Sequence, residues 1–414
     1  MTQTVLIIGA GQAGARAAQA LRTHGYEGRI VLAGDERHAP YERPPLSKDV
    51  LIAPDDDDCF KGWVHTAELY VDARIEWLND RVLKLDTQAH VAMLERSGAL
   101  RYDHCLLTTG GRARQLPGAI EGPHVFYLRT LDDAMRLRAR LATARSVAVI
   151  GGGFLGLEFA ASARTRGIDV SVFETGSSLL ARALPPVLSE RLRTKHESHG
   201  VRFMFDAKAL QVDAHATGVQ INAESFDLCV IAIGQTPNDE LARDAGMTTN
   251  NGIVVDRHCR TSAPDVYAAG DCANFPFGEN DRATRLESWQ NAQEQAIVAA
   301  RNITGDAVAY APTPWFWTDQ FDWNIQMLGL PDSAADRWIE RAGADGRTVL
   351  MGLRDGVIAQ VVAINQGGEL RAIRRLVEEG VPVDAAMLAD PTIKLRQLDK
   401  LLRSTHSGDQ GVLV

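Results

Sequence analysis

The 414-residue chain is poor in the features that mark several protein classes. Its five cysteines, Cys59, Cys105, Cys229, Cys259 and Cys272, are scattered. No C-x-x-C, redox-spaced pair or Cys/His cluster occurs, which excludes a disulfide reductase's vicinal dithiol and an iron–sulfur cluster held by this chain. Cations are short too: 44 Lys and Arg against 53 Asp and Glu leave a net charge of −9, the wrong sign for neutralising nucleic-acid phosphates. The longest apolar runs, such as Val5–Ala10 and Val147–Ile150, are strand-sized and far below the roughly 20 residues a bilayer requires, so no membrane segment is expected. Met1-Thr2-Gln3-Thr4 has no basic region leading into an apolar one, and the expected location is cytoplasmic. The acidic run Asp55–Asp58 reads as a solvated loop, and no metal is assigned to it.

What the chain does contain is one glycine pattern written twice. "VLIIGAGQAG" runs from Val5 to Gly14, and "VAVIGGGFLG" runs from Val147 to Gly156. Around the first, Val5–Ile8 predicts a strand, Ala15–His24 a helix stopped at Gly25, and Arg29–Ala33 a second strand. The second copy predicts strand Ser146–Ile150, helix Phe154–Arg166 stopped at Gly167, and strand Asp169–Glu174. In each G-x-G-x-x-G the first glycine allows the tight turn, the second lets a pyrophosphate approach the backbone, and the third lets helix pack on sheet. Gly9, Gly11 and Gly14 are followed by Asp35-Glu36, and Gly151, Gly153 and Gly156 by Glu174, an acid about 20 residues on that accepts ribose hydroxyls. Glu174 with no arginine in Thr175–Ser178 favours NAD over NADP, unless Arg182 folds back. Two such sites in one chain suggest FAD at one and NADH at the other, with hydride passing between the rings.

Further strands ending in small-residue turns are expected in "HCLLTTGG" (104–111), "LCVIAIGQTPN" (228–238) and "DVYAAGDCAN" (265–274). Pro312 and Pro314 mark a boundary before an aromatic-rich tail. The expected fold is α/β, with two Rossmann-like dinucleotide-binding domains in a glutathione-reductase-like arrangement and a C-terminal α+β domain. The FAD-binding domain is expected over 1–110 and 232–312, the NADH-binding domain over 111–231, and the tail over 313–414.

The order of "GAGQAG", "PYERPPLSK" (40–48), "LLTTGGRARQLPG" (106–118), "YLRTLDDA" (127–134), "VIGGGFLGLE" (149–158), "AIGQTPN" (232–238) and "YAAGDCAN" (267–274) resembles the two-dinucleotide flavoprotein reductases. Within them, "RPPLSK", "RLESWQNAQEQA" (285–296) and "WFWTDQ" (315–320) are similar to the NADH-dependent ferredoxin reductases of aromatic-ring dioxygenase and cytochrome P450 systems. The likeness covers roughly residues 4 to 330 by motif.

That resemblance implies roles. Gly9, Gly11, Ala13 and Gly14 bind the FAD pyrophosphate, with Asp35 or Glu36 at the adenosine ribose. Lys48 lies near the flavin, and Glu158 faces flavin and nicotinamide; the alternatives are a surface lysine and a helix-face glutamate. Asp271 contacts the ribityl chain or caps a following helix. Arg43 and Arg129 face FAD or form plain salt bridges, and the Val82 backbone meets the adenine. Trp289 stacks near the isoalloxazine or packs in the core, and Trp315, Phe316 and Trp317 divide between flavin and core. Lys48, Glu158 and Trp289 are the expected catalytic residues. The implied partner is a separate [2Fe-2S] ferredoxin, with Arg282 and Arg285 as weak docking candidates. A rubredoxin reductase, or a flavoprotein akin to apoptosis-inducing factor, is the alternative.

Overall fold

The computed structural model describes residues 3–54, 60–278, 280–330, 335–398 and 401–402; the acidic run Asp55–Asp58 and Cys59 lie outside them. The described residues fall into two compact units, one within Met1–Ala144, Asp213–Ala216 and Val230–Pro312, the other within Arg145–Val212, Thr217–Cys229 and Thr313–Val414.

The first unit is built on a five-stranded parallel sheet in the order Val266–Ala268, His104–Leu107, Thr4–Ile8, Arg29–Gly34, Ile75–Asn79. Val5, Leu6 and Ile7 are fully buried, as are Ile30, Val31 and Leu32, which explains why these strands read as unbroken apolar runs. Chain order reverses between Thr4–Ile8 and His104–Leu107, the switch point where such sheets bind ligands at their carboxyl ends. Two helices, Gln12–Thr23 and Trp289–Ile303, pack together through Ala13, Ala17, Ala292, Ala296 and Ala299, whose small side chains permit close approach. The first helix starts one turn earlier than its apolar periodicity suggests, because Gly14 sits inside it.

The second unit repeats the parallel pairing, with strands Val201–Met204, Asp169–Phe173 and Ser146–Ile150 side by side in that order. Its tail forms an antiparallel sheet ordered Trp315–Gln320, Trp323–Leu328, Val357–Ile364, Thr348–Arg354, Arg337–Ala342. Alternation along Val357–Ile364 sorts its side chains into two cores. Val361 and Ala363 join Leu370, Ile373 and Leu376 of helix Gly367–Glu378, while Val362 and Ile364 join Leu157, Leu188 and Leu192 of the nucleotide half. The α/β and α+β parts expected from the sequence are therefore present.

Asp271 does not take the helix-capping role that the sequence allows. The element after it is a strand, Ala273–Phe277, so Asp271 caps no helix; Ser288 caps the next one, accepting from the Asn291 amide at 3.1 Å.

Candidate functional site

The three glycines of the first fingerprint do three different jobs. Gly9 has φ +113°, and a Cβ there would lie 2.2 Å from the Thr108 carbonyl oxygen. A Cβ on Gly14 would lie 2.0 Å from the Gly9 carbonyl oxygen, so this glycine sets the helix-to-turn packing. Gly11 is different: it is the N-cap of Gln12–Thr23, has an ordinary extended backbone, offers no side-chain cap, and would bring a Cβ no nearer than 4.0 Å to anything, that atom being Arg43 Nη2. The open helix N-terminus beside a guanidinium is a cradle for an anion, and a side chain at Gly11 would fill it.

A ring of charge stands around the cradle. Arg43 donates from Nη2 to Glu36 Oε1 at 2.6 Å and from Nη1 to the Arg129 carbonyl at 2.7 Å. Tyr41 donates to the other Glu36 oxygen, and burial pushes its phenol up. Arg129 pairs with Asp271 at 3.1 Å and donates through Nε to the Gly111 carbonyl at 2.9 Å, while Gln235 donates to the same Asp271 oxygen at 3.0 Å. Burial and the neighbouring Arg43 charge pull the Arg129 guanidinium down, against the pull of Asp271. A pyrophosphate beside two half-buried guanidiniums relieves that repulsion, so the donor set fits an FAD pyrophosphate.

The acid after the second strand differs between the two fingerprints. Gly9 N donates to Ala33 O as Gly151 N donates to Phe173 O, which makes Gly34 the counterpart of Glu174. A Cβ on Gly34 would lie 2.5 Å from Ala10 Cβ, which shifts the first acid on to Asp35. Asp35 is exposed and makes no hydrogen bond or ion pair among the described residues, whereas both oxygens of Glu36 are engaged.

Lys48 is half-buried where the turn Pro44–Ser47 passes into helix Asp49–Ile52, and its carbonyl accepts from the Leu51 and Ile52 amides at 2.9 and 3.0 Å. Val82 opens strand Val82–Asp86 and packs half-buried on the first core. Ala13 is buried beside Gly270, whose φ is +82° and whose amide donates to Gln295 Oε1 at 2.8 Å. Trp289 is the first residue of its helix and half-buried. Arg285 is no surface cation: its side chain is 8% exposed, pairs with Glu287, and donates to the Asp271 and Asn251 carbonyls at 3.1 Å each. Arg282 is exposed.

In the second unit Gly151 has φ +109°, a Cβ on Gly156 would lie 2.0 Å from Gly151 O, and Gly153 is an uncapped N-cap with open space around it. Glu174 accepts from the Gly152 and Gly176 amides at 2.7 Å each, which pins the carboxylate against the fingerprint. Arg182 is exposed and makes no ion pair among the described residues. Glu174→Ala is expected to lower the ratio of kcat/KM for NADH over NADPH about tenfold, checked by steady-state kinetics with both nucleotides.

Glu158, 7% exposed on helix Phe154–Thr165, accepts at Oε1 from the Thr318 hydroxyl at 2.7 Å, a partner about 160 residues away that no local pattern reveals. Phe316 packs on Phe154 at 4.6 Å between ring centroids, whereas Trp315 and Trp317, alternate to it, stack on each other at 5.0 Å. All four described cysteines are buried free thiols, and burial pushes Cys229 up to about 12 and raises the other three as well. Among the described residues no cluster of His, Cys, Asp and Glu is placed to hold a metal, and no helix is long and apolar enough to cross a membrane.

Comparison with known proteins gives two family matches, pyridine nucleotide-disulphide oxidoreductase over residues 3–296 and a reductase C-terminal region over 315–399. The ferredoxin–NAD(+) reductase component of an anthranilate 1,2-dioxygenase system from Burkholderia cepacia is 40% identical over 399 residues, 94% of this chain and 98% of the relative. That of a 3-phenylpropionate/cinnamic acid dioxygenase from Photorhabdus laumondii is 38% identical over 383 residues, 91% of this chain and 96% of the relative. The crystal structure of the ferredoxin reductase for the CYP199A2 system from Rhodopseudomonas palustris matches with a TM-score of 0.90 at 36% identity, over 95% of this chain and 99% of the other.

Proposed function

The chain belongs to the pyridine nucleotide-disulphide oxidoreductase family, and on that premise we propose that it carries electrons from NADH by way of FAD to a separate [2Fe-2S] ferredoxin that serves an oxygenase. The observation that carries this reading is the anion cradle built twice on uncapped helix starts, at Gly11 and at Gly153, in a chain whose described thiols are all buried. Bound FAD supplies the change from a two-electron donor to single electrons for a one-electron acceptor.

The chain's own residues bind and orient. Gly9, Gly11, Ala13 and Gly14 receive the FAD pyrophosphate with Arg43 and Arg129 as counter-charges, Asp35 takes the ribose hydroxyls, and Glu36 keeps Arg43 in place. Asp271 meets the ribityl chain, Val82 the adenine, and Trp289 screens the ring from water. Gly151, Gly153, Gly156 and Glu174 receive NADH, Glu158 holds a carboxylate at the nicotinamide, and Lys48 holds an ammonium at the flavin. In this reading residues 1–110 and 232–312 serve FAD, 111–231 serve NADH, and 313–414 form the C-terminal domain of a cytoplasmic protein.

The test is direct. Purified protein is expected to be yellow, release one FAD per chain on heating, and reduce [2Fe-2S] ferredoxins with NADH in preference to NADPH. A colourless protein that takes up no FAD overturns the reading. Rapid reduction of rubredoxin with none of any ferredoxin moves the acceptor, and slow turnover with every acceptor overturns the reductase assignment.

A further inference from the structure

We propose that Thr318, Gln320 and His196 act as positioning residues for Glu158, through a buried, one-way chain of hydrogen bonds that fixes its carboxylate as an acceptor. The inference rests on the reading that places Glu158 at the nicotinamide. Every link lies within the second unit.

The His196 ring Nε2 faces Gln320 Oε1 at 2.8 Å, Gln320 Nε2 donates to Thr318 Oγ1 at 3.2 Å, and Thr318 Oγ1 donates to Glu158 Oε1 at 2.7 Å. The Asp319 amide adds a longer contact to the same Glu158 oxygen at 3.4 Å. His196, Thr318 and Gln320 are fully buried, so no solvent competes for these groups.

The chain has a direction. A threonine hydroxyl carries one hydrogen, and Thr318 gives it to Glu158 because its own lone pair accepts from the Gln320 amide. Gln320 presents that amide because its carbonyl accepts from His196 Nε2–H. The ring is then neutral, with its hydrogen on Nε2, and Nδ1 has no partner among the described residues. Burial agrees, pushing His196 down to about 4. Reversal would need a proton on Glu158, a turned amide and the other histidine tautomer together.

The far end of the chain is held as well. Gln320 precedes the hairpin turn at Phe321, which has φ +56°. His196 and His199, from the end of helix Pro186–Ser198 and its cap, pack on the Phe321 ring at 5.0 and 3.9 Å, and Lys195 pairs with Asp322 at 2.5 Å. The carboxylate on one helix is thus oriented from another through the strand Trp315–Gln320. Apolar residues fill buried space as stably as a polar chain does, so a buried chain with every link from His196 Nε2 to Glu158 made points to specification of geometry.

The test uses the FAD-loaded protein and the variants Thr318→Val, Thr318→Ser, Gln320→Leu, Glu158→Gln and Thr318→Val/Glu158→Gln. Flavin reduction at saturating NADH is followed by stopped flow, NAD+ affinity by calorimetry, and melting temperature by scanning calorimetry. Thr318→Val is expected to slow flavin reduction about tenfold with NAD+ affinity changed less than twofold, as loss of one bond to a charged group implies. Thr318→Ser should restore the rate to within about twofold, and Gln320→Leu should slow it several-fold. In the double variant the rate should match Glu158→Gln alone, because Thr318 acts on flavin reduction only through the carboxylate. A normal rate in Thr318→Val or Gln320→Leu beside a slow Glu158→Gln, or full additivity in the double variant, overturns the positioning chain alone. A normal rate in Glu158→Gln overturns the placement of Glu158 itself. If Thr318→Val does not fold, Gln320→Leu and the serine variant decide the question by the same criteria.

Discussion

Gly11→Val is expected to give a folded protein that carries no FAD. The two halves of that result come from different atoms. At Gly9 and Gly14 an added methyl meets the protein's own backbone at 2.2 and 2.0 Å, so variants there damage the fold and the site together. At Gly11 the nearest atom is Arg43 Nη2 at 4.0 Å and the backbone is extended, so the side chain enters only the space left for the ligand. Exchanging a glycine N-cap costs the helix about 1 kcal/mol or less. Contact between a branched side chain and a pyrophosphate drawn onto the backbone costs about 3 kcal/mol or more, a loss of roughly a hundredfold in affinity. The check is FAD content after gel filtration, with the melting temperature of the FAD-free parent as reference. Full FAD content at normal affinity would remove the first cradle from the site.

Gly153→Val is expected to give the complementary protein, yellow and fully loaded with FAD but starved of NADH. Gly153 is the N-cap of Phe154–Thr165, and a Cβ there meets nothing within 4 Å. The same filling argument predicts an NADH KM about a hundredfold higher, or kcat/KM lower by that factor. Chemical reduction of the flavin by dithionite should be unaffected. Loss of FAD from this variant, with NADH binding retained, would mean that the two cradles have been assigned the wrong way round.

These two glycines were legible because their pattern is local. A strand, a turn and a helix within a few dozen residues fix each other, and strand Ser146–Ile150 lies where its apolar run ends. The acid of the first fingerprint was not legible, since the choice between Asp35 and Glu36 turns on a clash between Gly34 and Ala10 and on which carboxylate Arg43 occupies. Arg285 read as a surface cation because charge is visible in a sequence and burial against the Asn251 and Asp271 carbonyls is not. Thr318 lies inside the motif "WFWTDQ" (315–320), with nothing local to set it apart from its neighbours. Its meaning is a contact between a tail strand and a helix far upstream, and only tertiary pairing supplies that.

The strand Val357–Ile364 faces two cores, one of which also contains Leu157, Leu188 and Leu192. This has a consequence for how such a chain can be inherited. A nucleotide-binding half whose apolar face is closed by the tail cannot shed that tail or exchange it for an unrelated one without opening its own interior. The C-terminal region is therefore tied to the half it covers, and recombination near Thr313 survives only when the incoming tail brings a matching apolar face.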